Sequence, residues 1–148
     1  MQEYLAKTLQ GLEGVLADEL KALGAKDIEI QRRAVSFKGD KKTLYKANFW
    51  LRTALRILKP VAVFKVNSPD DVYTEIKKLK LEEFITADKT FSIDTTLYSE
   101  QINHSRYVTY KAKDAIVDYF TEKYGKRPSV SVANPDIYFN LHISHTTC

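Results

Sequence analysis

The chain has 148 residues, 44% hydrophobic and 28% charged, which is enough to bury a core as one domain or two small ones. No run of about 18 apolar residues occurs, and the first residues lack the basic region and apolar core of a signal peptide. These features favour a cytoplasmic protein with no membrane partner. The single cysteine, Cys148, excludes an internal disulfide framework and a thiol cluster for a metal.

The positive charge is concentrated in the first half of the chain. The formal net charge is +4 and the pI is about 9.0. Residues 1–65 contain 13 Lys and Arg against 7 Asp and Glu, a net charge of +6, whereas residues 66–148 contain 10 against 12, a net charge of −2. A moderate basic bias of this kind permits a nucleic-acid partner without requiring one.

The first half alternates strands with two helices. Apolar residues at helical spacing predict one helix over 12–23, closed by Gly24, and a second that follows Gly39 and Asp40 and carries its apolar stripe to Leu55. Alternating runs predict strands over 3–9, 27–32, 35–38 and 57–66, with the middle two joined as a hairpin through Arg33 and Ala34. Pro60 removes a ladder donor and so places the last strand at a sheet edge. The order βαββαβ is that of a ferredoxin-like domain.

The second half begins with a marked helix start. Ser68, Pro69 and Asp71 suit the N-cap, first and third positions of a helix, and residues 81–85 predict a further short helical turn. A strand follows over 90–98, then a long helix, then strands over 129–133 and 137–144 around an Asn-Pro-Asp turn. We therefore expect an α+β protein, with a βαββαβ domain over 1–66 and an ααβαββ domain over 67–148. Because the chain stops directly after a strand, we expect it to be a fragment of a longer polypeptide.

The long helix is predicted from an N-cap at Ser105 to Gly125, and its charge order is unusual. Its cations precede its acids, so the charges oppose the helix macrodipole. One interpretation is an anion site, where a phosphate meets free N–H groups and cationic side chains together. The other is a set of solvated lysines on an exposed face.

Basic residues interleaved with aromatic and hydrogen-bonding residues give the candidate RNA-binding set. Two clusters lie at opposite ends of a helix that spans roughly 30 Å, so they do not form one pocket. Lys113 and Asp114 have an alternative structural interpretation, in which they fix the helix against its own domain by a salt bridge or a cap. Members of the set are Asn103, His104, Ser105, Arg106, Tyr107, Lys111, Lys113, Lys126 and Arg127, with weaker candidates Lys42 and Lys46 on the second helix of the first half.

Catalytic and metal-binding patterns are not found in the sequence. It contains no GxGxxG, GxxxxGK[ST] or GxSxG motif, and its five glycines are explained by caps and turns. His142 and His145 are three residues apart on a predicted strand, where side chains at that spacing point to opposite faces. We therefore expect no metal, no bound cofactor and no catalytic residue in these 148 residues.

Three segments carry a resemblance to a known family: GLEGVLADELKALGA, LYKANFWLRTALRIL, and SRYVTYKAKDAIVDYF with the later GKRPSVSVANPDIYFNLHI. The chain resembles the N-terminal region of bacterial THUMP-containing RNA methyltransferases, above all those that modify guanine N2 in large-subunit (23S) ribosomal RNA. The resemblance implies a ferredoxin-like domain, an RNA-binding THUMP domain and, further along, a methyltransferase domain that uses S-adenosylmethionine.

The resemblance also implies which parts are missing. The Asn/Asp-Pro-Pro-aromatic motif of the methyltransferase domain does not occur, because Asn134, Pro135 and Asp136 form a turn instead. The fragment would then bind RNA without catalysis. Two alternatives stay open: the same region of a tRNA-modifying enzyme, either a methyltransferase or a 4-thiouridine synthetase, and a ferredoxin-like module that binds a protein or small metabolite rather than RNA.

Overall fold

Two separate sheets organise the chain, each with its own apolar core. The computed structural model describes all 148 residues and divides them into two units, Met1–Ala62 and Val63–Cys148. None of the helices combines the length and apolar character that a bilayer crossing requires.

The first unit has the predicted βαββαβ order around one antiparallel sheet. The strands lie side by side as β2, β3, β1 and β4, so β4 is at an edge, as Pro60 predicts. The helix α1 covers the sheet through Leu16 and Leu20, which meet the fully buried Tyr4 and Phe37. The elements are β1 (Gln2–Lys7), α1 (Glu13–Ala22), β2 (Lys26–Gln31), β3 (Ala34–Gly39), α2 (Lys41–Trp50) and β4 (Arg56–Leu58).

Two local predictions in this unit are wrong. The hairpin turns at Arg32 and Arg33, one residue earlier than predicted, because Ala34 already pairs in the ladder; Arg33 takes the turn with φ 56°. The helix α2 ends at Trp50 rather than near Leu55. Its end is set by a contact distant in sequence, since Glu19 accepts hydrogen bonds from the Arg52 N–H (2.7 Å) and the Thr53 hydroxyl (2.9 Å).

The predicted strand over 57–66 is also wrong in its length. The strand β4 covers only three residues, and the chain then leaves the first sheet. Residues near Val66 pair instead with the end of the chain: Phe64 and Cys148 exchange two backbone hydrogen bonds, and the Val66 N–H donates to the Thr146 carbonyl. The predicted strand is therefore divided between the two units.

The second unit has the predicted ααβαββ order around a parallel sheet. Its strands lie side by side as β6, β5 and β7. The pair β5 and β7 agrees with the predicted bounds, but β6 is shorter than predicted because the chain leaves the sheet before Val132, which is 85% exposed. The elements are α3 (Pro69–Lys77), a 3-10 turn (Leu81–Glu83), β5 (Thr90–Tyr98), α4 (Ser105–Tyr124), β6 (Ser129–Val130) and β7 (Ile137–Ser144).

The helix α4 is the main packing element of this unit. The three- and four-residue spacing predicts a buried stripe that includes Tyr119, and all of its members except the partly buried Tyr119 are buried: Val108, Ala112, Ala115, Ile116 and Phe120. Gly125 closes the helix at φ 67°, a conformation that costs glycine little. Ser68 is the N-cap of α3 and Pro69 lies in its first turn, as predicted, and Asp71 completes a capping box with Ser68.

Candidate nucleic-acid interface

The amino end of α4 lies at the carboxyl edge of the parallel sheet. The strand β5 ends at Tyr98, opposite Ser144 at the end of β7. The Ser99 hydroxyl then accepts hydrogen bonds from the Gln101 and Ile102 N–H groups, both at 3.2 Å, and the buried Ile102 anchors the loop. Open α/β sheets bind ligands at this edge, and only residues 103–107 of the predicted set lie beside it.

The helix begins one residue earlier than the sequence predicts. His104 is the N-cap and its carbonyl accepts from the Val108 N–H at 3.2 Å, so the prediction of Ser105 as N-cap is wrong. The buried Ile102 and Val108 fix where the loop enters the helix, and this leaves Ser105 inside the first turn. No side chain caps this end. The N–H groups of the first turn are therefore available to an external acceptor.

Side chains around this end are exposed and carry donors. Asn103, His104, Ser105 and Arg106 are all exposed, and Tyr107 is 50% exposed. Arg106 takes part in none of the ion pairs of the molecule. The structure thus brings together the five residues of the first predicted cluster, with a guanidinium, an aromatic ring and free N–H groups.

A threonine pair holds this end of the helix against the sheet. The Thr95 and Thr109 hydroxyl oxygens are 2.6 Å apart, and the Thr109 hydroxyl donates to the Ser105 carbonyl at 2.8 Å. Thr95 lies in β5 and Thr109 one turn into α4, so this contact fixes the height of the helix on the sheet. The candidate site is therefore held by the strand beneath it.

Lys111 has a partner within the fold. Its Nζ lies 2.8 Å from an Asp70 carboxylate oxygen in the first turn of α3, and this hydrogen bond raises the pKa of Lys111. The same Nζ is 5.6 Å from the centroid of the Tyr107 ring. Lys111 therefore ties α3 to α4 and also extends the basic surface beside Tyr107.

Lys113 also has an acidic neighbour. Its Nζ lies 3.1 Å from Asp114 and 5.9 Å from the centroid of the Tyr110 ring. Asp114 is the next residue of the same helix, so this contact does not tie α4 to another element, as the structural alternative for Lys113 requires. A phosphate at Lys113 would have to share the lysine with that carboxylate.

Acids in the later half of α4 face the preceding elements. Asp118 accepts a 2.7 Å hydrogen bond from the Tyr73 hydroxyl, and Glu122 binds Lys77 at 2.8 and 2.9 Å. Because α3 supplies both partners, the inverted charge order of α4 is partly explained by helix packing rather than by an external anion.

One further ion pair ties α4 to the 3-10 turn. Lys123 lies 2.5 Å from a Glu82 carboxylate oxygen, and the Tyr119 hydroxyl donates to the same carboxylate. These two hydrogen bonds, that from Lys123 first, lower the pKa of Glu82 to about 2.

Lys126 and Arg127 lie beyond the other end of α4. Both are exposed in the turn that leads into β6. The Lys126 charge is one of the smaller influences that lower the pKa of Asp88, after a hydrogen bond from Thr86. A 20-residue helix separates these cations from Arg106, roughly 30 Å of rise. They therefore belong to a different surface.

Sequence reasoning missed an aromatic and a histidine at the carboxyl edge. The Tyr98 and His142 rings lie with centroids 5.9 Å apart on the neighbouring strands β5 and β7. The signal that would have found them is the parallel register, which no local pattern supplies. His145 occupies the turn after β7 with φ 55°, and no group of three His, Cys, Asp or Glu side chains is arranged to hold a metal.

Comparison with known proteins places these features in a family. Residues 66–148, over half of the chain, match the THUMP domain. The chain belongs to the THUMP domain family. Residues 3–58, which precede this THUMP domain, match the RlmL ferredoxin-like domain. The ferredoxin-like and THUMP folds expected from the resemblance are thus confirmed.

Longer relatives contain this arrangement near one end. The chain is 41% identical over 141 residues to the ribosomal RNA large subunit methyltransferase K/L of Syntrophotalea carbinolica, covering 95% of the chain and 20% of that protein. It is 37% identical over 145 residues to a Synechocystis protein whose name gives RNA methyltransferase as its expected activity, covering 98% of the chain and 38% of that protein. The chain therefore spans about a fifth to two fifths of these relatives.

A solved structure agrees with the fold. A Listeria monocytogenes protein, described as a predicted N6-adenine-specific DNA methylase, superposes with a TM-score of 0.78 at 28% identity. The match covers 99% of this chain and 38% of that one. Both the ferredoxin-like unit and the THUMP unit thus occur in the same order in a longer, crystallised protein.

Proposed function

We propose that this chain binds RNA and that the amino end of α4 is the contact that orients it. The observation that carries the proposal is the exposed, unpaired Arg106 beside an uncapped helix terminus in a domain of the THUMP family. The names of the two curated relatives, both RNA methyltransferases, support RNA over DNA as the ligand.

The chemistry of the site suits a phosphate followed by a base. First-turn N–H groups of α4 donate to phosphate oxygens, and the guanidinium of Arg106 adds a charge-assisted, two-pronged hydrogen bond. The ring of Tyr107 offers an unpaired base a stacking surface, with the positive charge of Lys111 close by. Asn103, His104 and Ser105 supply further donors. Contacts with the phosphate backbone hold the RNA, and stacking on the ring of Tyr107 selects for unpaired nucleotides.

We further propose that the ligand is 23S ribosomal RNA, presented for guanine N2 methylation in the bacterial cytoplasm. The relative named as a ribosomal RNA large subunit methyltransferase supports this choice. The matching region of a tRNA-modifying enzyme would carry the same surface, and the competition experiment below separates the two.

One surface cavity does not suit S-adenosylmethionine, the methyl donor of such an enzyme. A surface cavity of about 360 Å³ lies beside Tyr4, Gly39 and Asp40. Adenosine sites of α/β enzymes use a free carboxylate for the ribose hydroxyls, whereas Asp40 already accepts hydrogen bonds from the Thr43 N–H and hydroxyl. We assign methyl transfer to a further domain of the longer protein.

Fluorescence anisotropy with labelled RNA tests the proposal. The chain is titrated with a 23S rRNA fragment at several salt concentrations, with tRNA and duplex DNA of equal length as competitors. We expect the logarithm of the binding constant to fall linearly with the logarithm of salt, by about 0.7 to 0.9 per phosphate contacted. Binding that ignores salt, or no binding at low salt, contradicts the proposal; stronger competition by tRNA rejects the choice of 23S rRNA.

A matched pair of variants tests the residue assignment. Arg106→Ala removes the guanidinium and should weaken binding by roughly ten-fold or more, as expected for hydrogen bonds to charged groups. Lys80→Ala removes an exposed cation of the same unit, distant in sequence from α4, and should change binding little. Thermal melting of both variants should match the parent chain, because neither side chain is buried. Equal binding by both variants rejects the site at α4.

A further inference from the structure

Three aromatic side chains on α2 are left in solvent. Tyr45, Phe49 and Trp50 are 72%, 78% and 60% exposed. The Phe49 and Trp50 rings meet edge to face with centroids 5.1 Å apart. None of the three belongs to the apolar core of the first unit. Soluble proteins seldom leave contiguous aromatic surface uncovered unless something binds there.

Lysines share this face with the aromatic rings. Lys42, Tyr45, Lys46 and Phe49 follow one another at steps of three, one and three residues, which places all four on one side of the helix. The opposite side carries Ala47, which is 1% exposed and packs in the core. Cations and rings therefore alternate along a single exposed surface, which we call the α2 face: Lys42, Tyr45, Lys46, Phe49 and Trp50.

The positive charge of the α2 face is not neutralised within the unit. The helix contains three lysines and no acid, and neither Lys42 nor Lys46 forms an ion pair. Hydrogen bonds from Thr43 have the largest effect in lowering the pKa of Asp40, and the nearby charge of Lys42 lowers it a little further. Glu19, on the adjoining helix, binds the chain segment after α2. This surface therefore favours a negatively charged ligand with flat, apolar groups.

The pattern distinguishes nucleic acid from other partners. Protein interfaces are rich in aromatic residues but depleted in lysine, whereas here lysines interrupt the aromatic surface. Helices that lie on membranes separate their cations from their apolar face, whereas here both occupy the same face. Binding sites for single-stranded nucleic acid combine aromatic rings, on which bases stack, with cations that follow the backbone.

We propose that the α2 face binds unpaired nucleotides of RNA, with bases on Tyr45, Phe49 and Trp50 and phosphates at Lys42 and Lys46. The inference rests on the proposed function, since it assumes an RNA ligand, and it adds a second contact in the first unit. Bases must be unpaired because those in a duplex are stacked on each other and present no free face.

Trp50 is the only tryptophan of the chain, so its fluorescence reports this surface alone. The full chain is titrated with oligouridylate and oligoadenylate, with an RNA duplex, and with polyphosphate of equal charge, which has no bases. We expect saturable quenching by the two single strands, weaker quenching by the duplex and none by polyphosphate. Equal quenching by polyphosphate overturns stacking. Anionic phospholipid vesicles form a further arm, and a blue shift with vesicles but not RNA overturns the inference in favour of a membrane surface.

Variants separate this inference from the proposed function. Phe49→Ala should weaken single-strand binding by roughly 5- to 150-fold, the range measured for loss of one base stack. Tyr138→Ala removes a 58% exposed ring from β7 as the matched control and should leave affinity unchanged. If salt-dependent RNA binding persists while Phe49→Ala and Trp50 show no response, the inference fails and the proposed function stands. If no RNA binds in any assay, both fail.

Discussion

The two units use their basic residues differently. In the second unit several lysines meet acids from other elements: Lys111 reaches Asp70, Lys77 reaches Glu122 and Lys123 reaches Glu82. In the first unit Lys38 pairs with Asp27 and Lys21 lies near Asp18, but the lysines of α2 form no ion pair. Net charges of +6 and −2 for the two halves therefore understate the contrast.

This contrast separates lysines that hold the fold from cations that remain for a ligand. A lysine that already binds a carboxylate must give up that contact to bind phosphate, so it adds little affinity. An exposed, unpaired cation releases only water and counterions. By this criterion the candidate basic residues most available for RNA are Lys42 and Lys46 in the first unit and Arg106, Lys126 and Arg127 in the second, with Lys111 and Lys113 less available.

The largest effect should come from breaking one core and not the other. Phe120→Ala removes a ring that is only 2% exposed from the core of the second unit. It should lower the free energy of unfolding of that unit by about 3–5 kcal/mol. Denaturant unfolding is followed by circular dichroism for both units and by Trp50 fluorescence for the first. The denaturant concentration at the midpoint of the Trp50 fluorescence transition should not change. A parallel shift of both signals would show that the two units unfold as one.

Paired and unpaired lysines should differ in the salt dependence of RNA binding. In the double variant with Lys42→Ala and Lys46→Ala, the binding constant should fall less steeply with salt. The slope of its logarithm against log salt should decrease in magnitude by roughly 0.7 to 0.9 for each lysine. Lys111→Ala with Lys113→Ala removes the same charge but should lower the slope less, because both lysines have carboxylate partners. Anisotropy titrations measure both. Equal slopes for the two double variants would contradict the contrast between the units.

Helix caps should contribute equally in the two units. Asp40 accepts a 2.7 Å hydrogen bond from the Thr43 N–H at the start of α2, and Ser68 caps α3 in a capping box. Asp40→Ala or Ser68→Ala should each lower the free energy of unfolding by about 1 kcal/mol. Asp18→Ala is the control, since its exposed contact with Lys21 at 3.9 Å is worth little. A cap variant as stable as the control would show that the cap is replaced by water.

The smallest expected effect is that of the ion pair between Glu82 and Lys123 on thermal stability, and it should appear only at acidic pH. Hydrogen bonds from Lys123 and, to a smaller extent, from Tyr119 lower the pKa of Glu82 from 4.5 to about 2, so these contacts stabilise the folded chain above pH 4.5. The stabilisation is lost as the pH falls through the folded-state pKa. Both side chains are partly exposed, so the effect should be small. Glu82→Gln should therefore make thermal stability less dependent on pH between 4.5 and 2 than in the parent chain. If the melting temperatures of the variant and the parent chain change equally with pH, the ion pair contributes nothing to stability.

Most elements were predictable because local signals define them. Gly24 and Gly125 end their helices as predicted, and β5 and β7 begin and end at the predicted residues. Apolar spacing identified the buried side of α4, since burial of one stripe depends on periodicity within the helix. The exposed cluster from Asn103 to Tyr107 was likewise found from residue types alone, although its role in binding stays a prediction.

The sequence by itself determined the element order, the two helix-stopping glycines and the family resemblance, all of which depend on residues close together in the chain. Only the tertiary structure decided where α2 ends, because Glu19 captures the segment after Trp50. It also decided that residues 64–66 form backbone hydrogen bonds with residues at the end of the chain, and that Lys111 binds Asp70. The physical reason is common to all three: a backbone or charged group chooses its partner by distance in space, which local sequence patterns do not encode.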